Sequence, residues 1–258
     1  MDFKTANIYY FSGTGNTLIG VKNIKQVFDE HGVSTKLFAM EKEDPKNVDT
    51  SGLVGLAFPI AVFTSYPLVM DFIKKLPNAQ GTPVFMLSTM GGMSAGIKSY
   101  LKDLLKNKGY TPVGAKQLIM PGNYTVGVED EHKNPKRVER GIEDAKHFAK
   151  QLLEGKAHWG YFPILPDLVY LISQALFNVA SFKKAVKLND SKCIQCGLCS
   201  KLCPVGNIVM REHPAFLEKC EVCMRCISYC PKGALYRRYD GEPVYRGVKV
   251  EEFLNVDN

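Results

Sequence analysis

The sequence predicts an α/β domain built on a parallel sheet, followed by a small α+β domain rich in cysteine. Three observations lead to this fold class. Strand-like and helix-like segments alternate up to about residue 155, a glycine-rich loop follows the first strand, and one cysteine motif occurs twice near the C-terminus. Such alternation is typical of a parallel sheet covered by helices on both faces. With 258 residues, the chain is long enough for two domains.

Five apolar runs predict the strands of this sheet. Runs such as ANIYYF and GLVGLAF are apolar almost throughout, as in strands that are buried on both faces. Because ligands of open α/β sheets bind outside the carboxyl ends of the strands, the loops at those ends are candidates for a site. The predicted strands are 6–11, 34–40, 52–58, 83–88 and 114–120. The first predicted helix follows the loop at 12–17 and ends at about residue 31, and the other predicted helices are 68–76, about 94–108 and about 135–154.

The loop after the first strand has the composition of a phosphate-binding turn. Glycines let the backbone approach an anion, while hydroxyls and free N–H groups at a helix N-terminus bind phosphate oxygens. Leu18 stands where a dinucleotide-binding loop needs its third glycine, and the lysine of a P-loop is absent. The pattern [ST]-x-T-G-x-T resembles the loop that binds the phosphate of flavin mononucleotide (FMN) in flavodoxins. The candidate residues are Ser12, Gly13, Thr14, Gly15, Asn16 and Thr17.

Two further loops are expected, by the same resemblance, to bracket the isoalloxazine ring of FMN. Backbone groups would bond the ring edge, and apolar side chains would cover its faces. The candidates are Phe58, Pro59, Ile60, Ala61 and Val62 in one loop, Ser88, Thr89, Met90, Gly91 and Gly92 in the other, and Asn123 and Tyr124 after the fifth strand. Whether Phe63 or Tyr66 stacks on the ring is left open, and core packing is the alternative for each of these aromatic residues.

The resemblance to flavodoxins extends over about residues 4–155. It implies the strand order 2-1-3-4-5 and a non-covalently bound FMN. Flavodoxins are commonly acidic and this domain is not, so the resemblance does not imply the usual flavodoxin partners.

The eight cysteines all belong to two copies of the motif C-x2-C-x2-C-x3-C-P. Three cysteines at this spacing wrap one side of an iron–sulfur cube, and the fourth begins a helix that points toward a second cluster. The ligand sets are therefore expected to cross. Cys193, Cys196, Cys199 and Cys230 are expected to hold one [4Fe–4S] cluster, and Cys220, Cys223, Cys226 and Cys203 the other.

Other uses of the cysteines fit the spacing less well. A structural zinc site favours pairs of cysteines, and disulfides favour small secreted chains, whereas this chain shows no secretory signal. The region at about 187–238 instead resembles the bacterial two-cluster ferredoxins, including CPVGNI and CPKGAL at the fourth ligands.

The stretch between the two domains is predicted to be a linker with a docking helix. The predicted boundaries are 1–156 for the first domain, 157–186 for the linker and 187–258 for the second domain. Apolar residues recur at helical spacing in this linker, at Leu168, Ile172, Leu176, Val179 and Phe182. A dimer contact and a membrane-surface helix are the alternatives, and a homodimer is left open.

Charge and hydropathy indicate where the protein is located and which classes of partner it binds. No apolar run reaches the length of a membrane span and no signal peptide is present, so a cytoplasmic, oxygen-poor location is expected. Two bound clusters with their thiolates would lower the formal net charge from +7 to roughly +3, which does not indicate nucleic-acid binding. Arg225, Arg237 and Arg238 are candidates for a surface that docks an acidic partner, with solvated charge as the alternative.

The organisation of the whole chain resembles the flavodoxin–ferredoxin fusion proteins of anaerobic bacteria and archaea, the EFR family of ferredoxins. This resemblance implies an electron-transfer protein that relays electrons between FMN and two [4Fe–4S] clusters, with redox proteins as donor and acceptor. No catalytic residue is predicted. The alternative is an FMN-dependent reductase that acts on a quinone or nitro compound, and a redox sensor is a third hypothesis. A hydrogenase is disfavoured because no cysteine remains to hold a catalytic metal.

Overall fold

The N-terminal part of the chain is a five-stranded parallel sheet. The structure, a computed structural model, describes residues 3–61, 64–92, 96–123, 133–160 and 186–254. The strand order is β2-β1-β3-β4-β5, which is the order of flavodoxin-like doubly wound folds and confirms the predicted fold. The strands are β1 (Thr5–Tyr10), β2 (Ser34–Ala39), β3 (Leu53–Pro59), β4 (Pro83–Met90) and β5 (Thr111–Ile119).

Helices cover both faces of the sheet because its strands are apolar on both sides. Along β1, Ile8 faces one core and Tyr9 the other, as the alternation of side chains in a strand requires. Helices α1 and α4 pack on the first core, and helices α2 and α3 on the second. These helices are α1 (Asn16–Glu30), α2 (Pro67–Lys74), α3 (Ile97–Asn107) and α4 (Lys133–Leu153).

Two strands are longer than the sequence predicts. β4 continues to Met90, which pairs with Ile119, so Ser88 and Thr89 belong to the strand and not to the loop after it. β5 begins at Thr111. The sequence shows no turn signal until Gly91, which explains why β4 extends to that point.

The C-terminal part is a small α+β fold. Strand β6 (Lys187–Leu188) pairs with β9 (Leu235–Tyr236), and this pairing joins the two ends of the segment that contains the cysteines. Between them lie the hairpin of β7 (Ile208–Met210) and β8 (Pro214–Phe216) and two short helices, each of which contains the third cysteine of its motif: α5 (Leu198–Leu202) and α6 (Arg225–Ser228). Helix α7 (Glu251–Leu254) follows β9.

The predicted docking helix lies almost entirely within 161–185, outside the described residues. The segment just before it packs on the sheet domain: Trp159 is buried and donates from Nε1 to the Lys98 carbonyl over 2.9 Å. Among the described residues, no helix has the length and apolarity needed to span a membrane.

Candidate functional site

A cavity of about 50 Å³ opens at the carboxyl ends of the strands. It is formed where β1, β3, β4 and β5 end, which is the edge at which the sequence predicts a site. The predicted residues that line it are Ser12, Gly13, Thr14, Asn16 and Thr17 from the first loop, Pro59 and Ile60 after β3, Thr89, Met90 and Gly91 after β4, and Asn123 after β5.

The remaining predicted residues do not line this cavity. Phe58 and Ser88 are fully buried and lie outside the lining, and their predicted place beside a flavin ring stays a prediction. Ala61, Gly92 and Gly15 lie outside the lining. A Cβ atom built on Gly15 would meet Gly247 and Val248 of the C-terminal segment. Val62, Phe63 and Tyr124 lie outside the described residues. Pro121 and Gly122 line the cavity but were not predicted, although a Pro-Gly pair after a strand is a turn signal.

The side-chain hydroxyls of Ser12 and Thr14 in the first loop accept hydrogen bonds from other residues of the protein. The Ser12 hydroxyl oxygen accepts from the Gly15 N–H over 3.1 Å and from the Leu18 N–H over 3.4 Å. The Asn123 amide donates to the Thr14 hydroxyl oxygen over 3.0 Å. Because these oxygens act as acceptors, the hydroxyl hydrogens of Ser12 and Thr14 remain available to a ligand.

Backbone and hydroxyl donors converge on the cavity without any charged side chain in its described lining. The N–H groups of Gly13, Thr14, Asn16 and Thr17 have no acceptor among the described residues, and the last two begin α1. Thr17 and Thr89 share one hydrogen bond of 2.9 Å, so one of the two hydroxyls keeps a hydrogen to donate. Such a donor set fits an anionic phosphate group.

The eight cysteines surround two separate cavities. One is lined by Cys193, Cys196, Cys199 and Cys230, and the other by Cys203, Cys220, Cys223 and Cys226. The fourth cysteine of each motif thus joins the first three of the other motif, which is the crossed grouping that the sequence predicts.

The backbone adopts the same unusual conformation in both motifs. The φ angles of Gln195 and Val222 are 56° and 55°, and those of Gly197 and Met224 are 72° and 65°. A β-branched residue such as Val222 rarely adopts a positive φ, because its side chain crowds the backbone there. Alternation of right- and left-handed conformations turns successive N–H groups to one side and forms a concave anion site. The backbone around the cysteines therefore fits a negatively charged cluster.

Backbone N–H groups also donate to the cysteine sulfurs at matched positions. The Asn207 N–H donates to Cys203 Sγ over 3.1 Å, and the Ala234 N–H donates to Cys230 Sγ over 3.3 Å. Burial raises the pKa of Cys199 to about 11 and that of Cys223 to about 12.

The number of cysteines around each cavity matches the needs of a cluster. Four cysteines line each cavity, and a [4Fe–4S] cluster takes four thiolates. Among the described residues, no group of three or more His, Cys, Asp or Glu side chains is arranged to hold a single metal ion.

The second cysteine motif lies directly against the phosphate loop, defined here as residues 12–17. A Cβ atom built on Gly13 would lie less than 3.0 Å from the carbonyl oxygen of Cys223, a distance that real Cβ atoms essentially never show. The backbone of the loop and the backbone of the motif therefore touch, and a glycine is required at the contact.

Two charged residues of the second motif bind the sheet domain. Arg225 is buried, pairs with Glu41 over 2.7 Å and donates to the Ser12 carbonyl over 2.6 Å. Its predicted role on a partner-docking surface is therefore wrong, because its guanidinium is enclosed between the two domains. The Glu221 carboxylate accepts from the Leu68 N–H over 3.0 Å, and burial raises the pKa of Glu221 to about 7.

The C-terminal segment contacts the same loop. The Thr14 carbonyl accepts from the Gly247 N–H over 2.7 Å and from the Tyr229 hydroxyl over 3.2 Å, and the Tyr245 hydroxyl donates to Asn16 Oδ1 over 2.8 Å. No local sequence signal predicts these contacts, because each joins residues that are more than 200 positions apart.

Comparison with known proteins agrees with this organisation. Residues 186–209 match the family model described as a 4Fe-4S binding domain. No curated protein matches the chain. The chain therefore joins a flavodoxin-like fold, shown by its strand order, to a 4Fe-4S binding domain.

Several solved structures are similar to the sheet domain. Two-electron reduced flavodoxin from Megasphaera elsdenii is 22% identical, with 55% of this chain and 98% of that chain covered and a TM-score of 0.42. Oxidised Flavodoxin 2 from Bacillus cereus is 19% identical, covering 58% of this chain and 98% of that chain at a TM-score of 0.45. The flavodiiron protein from Giardia intestinalis is 21% identical, covering 60% of this chain and 38% of that chain at a TM-score of 0.41.

Proposed function

We propose that this chain is an electron-transfer protein that relays electrons between FMN, bound in the strand-end cavity, and two [4Fe–4S] clusters, bound in the two cysteine cavities. The observation that carries this proposal is the contact between Gly13 and the Cys223 carbonyl. This contact brings the second cysteine site next to the loop that would hold the flavin phosphate. A cluster and a flavin that lie this close together support electron transfer within one chain.

The proposed FMN site uses neutral donors for the phosphate. The N–H groups of Gly13, Thr14, Asn16 and Thr17, together with the hydroxyls of the loop, bind the phosphate oxygens. Ile60, Met90 and their neighbours after β3 and β4 form the walls for the flavin ring.

The proposed clusters are held by the two crossed sets of cysteines. When bound, clusters carry single electrons and a flavin carries two, so the pair of cofactors couples one-electron and two-electron partners. The protein contributes the N–H···S hydrogen bonds and the burial, both of which set the reduction potentials of such clusters.

The first cysteine site offers access to external redox proteins. Cys196 is exposed and Ile194 beside it is 55% exposed, whereas the second site is packed against the sheet domain. We place the protein in a reducing, oxygen-poor cytoplasm, where thiolate-held clusters persist.

Quantitation of cofactors after anaerobic purification tests the proposal. The full chain should contain about one FMN, about eight irons and about eight sulfides. Iron and sulfide at that level without FMN would overturn the relay, because the sheet domain would then be a docking scaffold only. About four irons would overturn the two-cluster assignment.

A further inference from the structure

Arg225 fixes the orientation of one peptide group in the phosphate loop. Its guanidinium donates to the Ser12 carbonyl over 2.6 Å. That carbonyl belongs to the peptide group that also carries the N–H of Gly13. In a planar trans peptide the C=O and the N–H point in opposite directions. The Gly13 N–H is therefore directed away from Arg225, and Ser12 and Gly13 both line the strand-end cavity.

Arg225 is itself held rigidly. It is 5% exposed, pairs with Glu41, donates to the Leu202 carbonyl over 3.3 Å and lies over the Phe253 ring at 4.5 Å. Because Glu41 neutralises its charge, Arg225 acts on the loop by orienting and polarising a peptide group, and not by adding net positive charge. A carbonyl that accepts a charge-assisted hydrogen bond makes the N–H of the same peptide a stronger donor.

The peptide group between Thr14 and Gly15 is also held by residues of the iron–sulfur domain. The Thr14 carbonyl accepts from the Gly247 N–H and from the Tyr229 hydroxyl. The Tyr229 hydroxyl also donates to the Val248 carbonyl over 3.0 Å, so it is fixed beside the loop. The iron–sulfur domain thus contacts two carbonyls of the loop, while the N–H of the peptide group between Thr14 and Gly15 donates to the Ser12 hydroxyl and holds it in place.

The first cysteine motif adopts the same backbone conformation without an arginine at this position. Leu198 occupies the place between the second and third cysteines that Arg225 occupies in the second motif. Both motifs nevertheless share the same positive φ angles. The arginine therefore serves the contact with the phosphate loop and not the folding of the motif.

We propose that Arg225 is a positioning residue for the flavin phosphate: it aims the Gly13 N–H at the phosphate and thereby couples flavin affinity to the second cysteine motif. This inference rests on the proposed function, since it takes FMN as the ligand of the loop. Coupling between binding sites is reciprocal, so a bound flavin phosphate in turn stabilises the motif that carries Arg225.

Comparison of FMN with riboflavin, which lacks the phosphate, isolates the effect. The dissociation constants of both flavins are measured by fluorescence quenching on the full chain, after removal of bound flavin and with the iron retained. In Arg225→Gln, the ratio of the riboflavin constant to the FMN constant should fall by roughly 10- to 100-fold, the range expected for loss of a hydrogen bond to a charged group. Arg225→Lys, which keeps a charged donor, should recover part of the ratio.

Arg211→Gln is the matched control. Arg211 is exposed in the same domain, and the substitution removes the same group without touching the loop, so its ratio should equal that of the wild type. A merely structural role of Arg225 would weaken both flavins equally and leave the ratio unchanged.

An unchanged ratio in Arg225→Gln with normal iron content overturns the inference and leaves the proposed function standing. Failure of the wild type to bind FMN overturns the proposed function itself. If Arg225→Gln does not fold, Tyr229→Phe carries the test, because it removes one hydroxyl from the Thr14 carbonyl: a ratio lowered by a fewfold supports the coupling, and an unchanged ratio contradicts it.

Discussion

Gly13 shows how two sites constrain a single residue. The sequence assigns this glycine to the approach of an anion, which is a property of the sheet domain alone. In the structure, the absent side chain also makes room for the carbonyl of Cys223. One glycine therefore serves both the phosphate site and the contact between the domains.

Gly13→Ala should separate the loop from the motif. The added methyl group cannot be accommodated by a flexible side chain, because it meets backbone, so we expect destabilisation of roughly 1–3 kcal/mol and a lower FMN content. Anaerobic thermal unfolding and cofactor quantitation measure both effects. Gly92→Ala is the control for stability and iron content, because a methyl group there meets no atom within 4 Å. Equal unfolding midpoints in the two variants would contradict the close contact.

The residues of the phosphate loop were predictable because they are adjacent in sequence and follow a strand. Arg225, Tyr229 and Tyr245 were not, since nothing local distinguishes them from ordinary charged or aromatic residues. Their roles arise only when the second domain packs on the first. The burial of Phe58 could not be predicted for a related reason: an apolar residue at a strand end fits a ligand wall and a core equally well.

At the scale of single elements, helix α2 depends on a residue of the other domain. Its N-cap residue, Tyr66, makes no side-chain cap, and the Leu68 N–H is instead bound by the Glu221 carboxylate. A carboxylate at a helix N-terminus satisfies a free N–H group and interacts favourably with the helix dipole.

Glu221→Ala should therefore destabilise the contact between the domains. We expect a loss of roughly 0.5–2 kcal/mol, the usual cost of removing a helix cap. Ile194→Ala is the matched control, because Ile194 occupies the equivalent place in the first motif and is exposed. Anaerobic thermal unfolding compares the two, and an equal shift in both variants would argue against the cap.

Cys203 tests the crossing of the two motifs. It follows α5 directly and lines the cavity of the second motif, although it belongs to the first motif in sequence. Cys203→Ser should remove iron from the second site and leave the first site filled. Iron analysis and electron paramagnetic resonance of the reduced variant measure this, and iron loss confined to the first site would refute the crossed ligand sets.

The hydrophobic pattern of the sequence predicts which segments are strands and which are helices. It predicts the residues at which they begin and end less well. All five strands of the sheet were predicted in the correct order of the chain, but β4 extends to Met90 because no residue before Gly91 interrupts it. The short strands β6 and β9 contain two residues each, too few for a periodic signal.

At the scale of the whole molecule, the two cysteine sites differ in exposure. Cys196 of the first site is exposed, whereas Cys223 of the second packs against the core of the sheet domain. The sequence could predict two domains but not which motif faces the other domain, because the motifs have the same spacing. In the second motif, Arg225 binds Glu41 and the Ser12 carbonyl, and Glu221 binds the Leu68 N–H, and these contacts distinguish it from the first motif.

This difference predicts the order of iron loss. Under an iron chelator and a mild oxidant, iron should leave in two phases, with the exposed first site losing its iron first. Iron release followed by absorbance, with resonance spectra taken between the phases, measures the order. In Cys203→Ser only the fast phase should remain. A single phase in the wild type would contradict the difference in protection.

The central claim is that the flavin and the iron–sulfur sites exchange electrons within one chain. It is tested most directly by reducing the anaerobic protein rapidly with less than one equivalent of a one-electron donor and following the flavin and iron–sulfur absorbance. The account predicts that electrons redistribute between the sites at a rate independent of protein concentration. A rate that rises in proportion to protein concentration, or the absence of any redistribution, would contradict it.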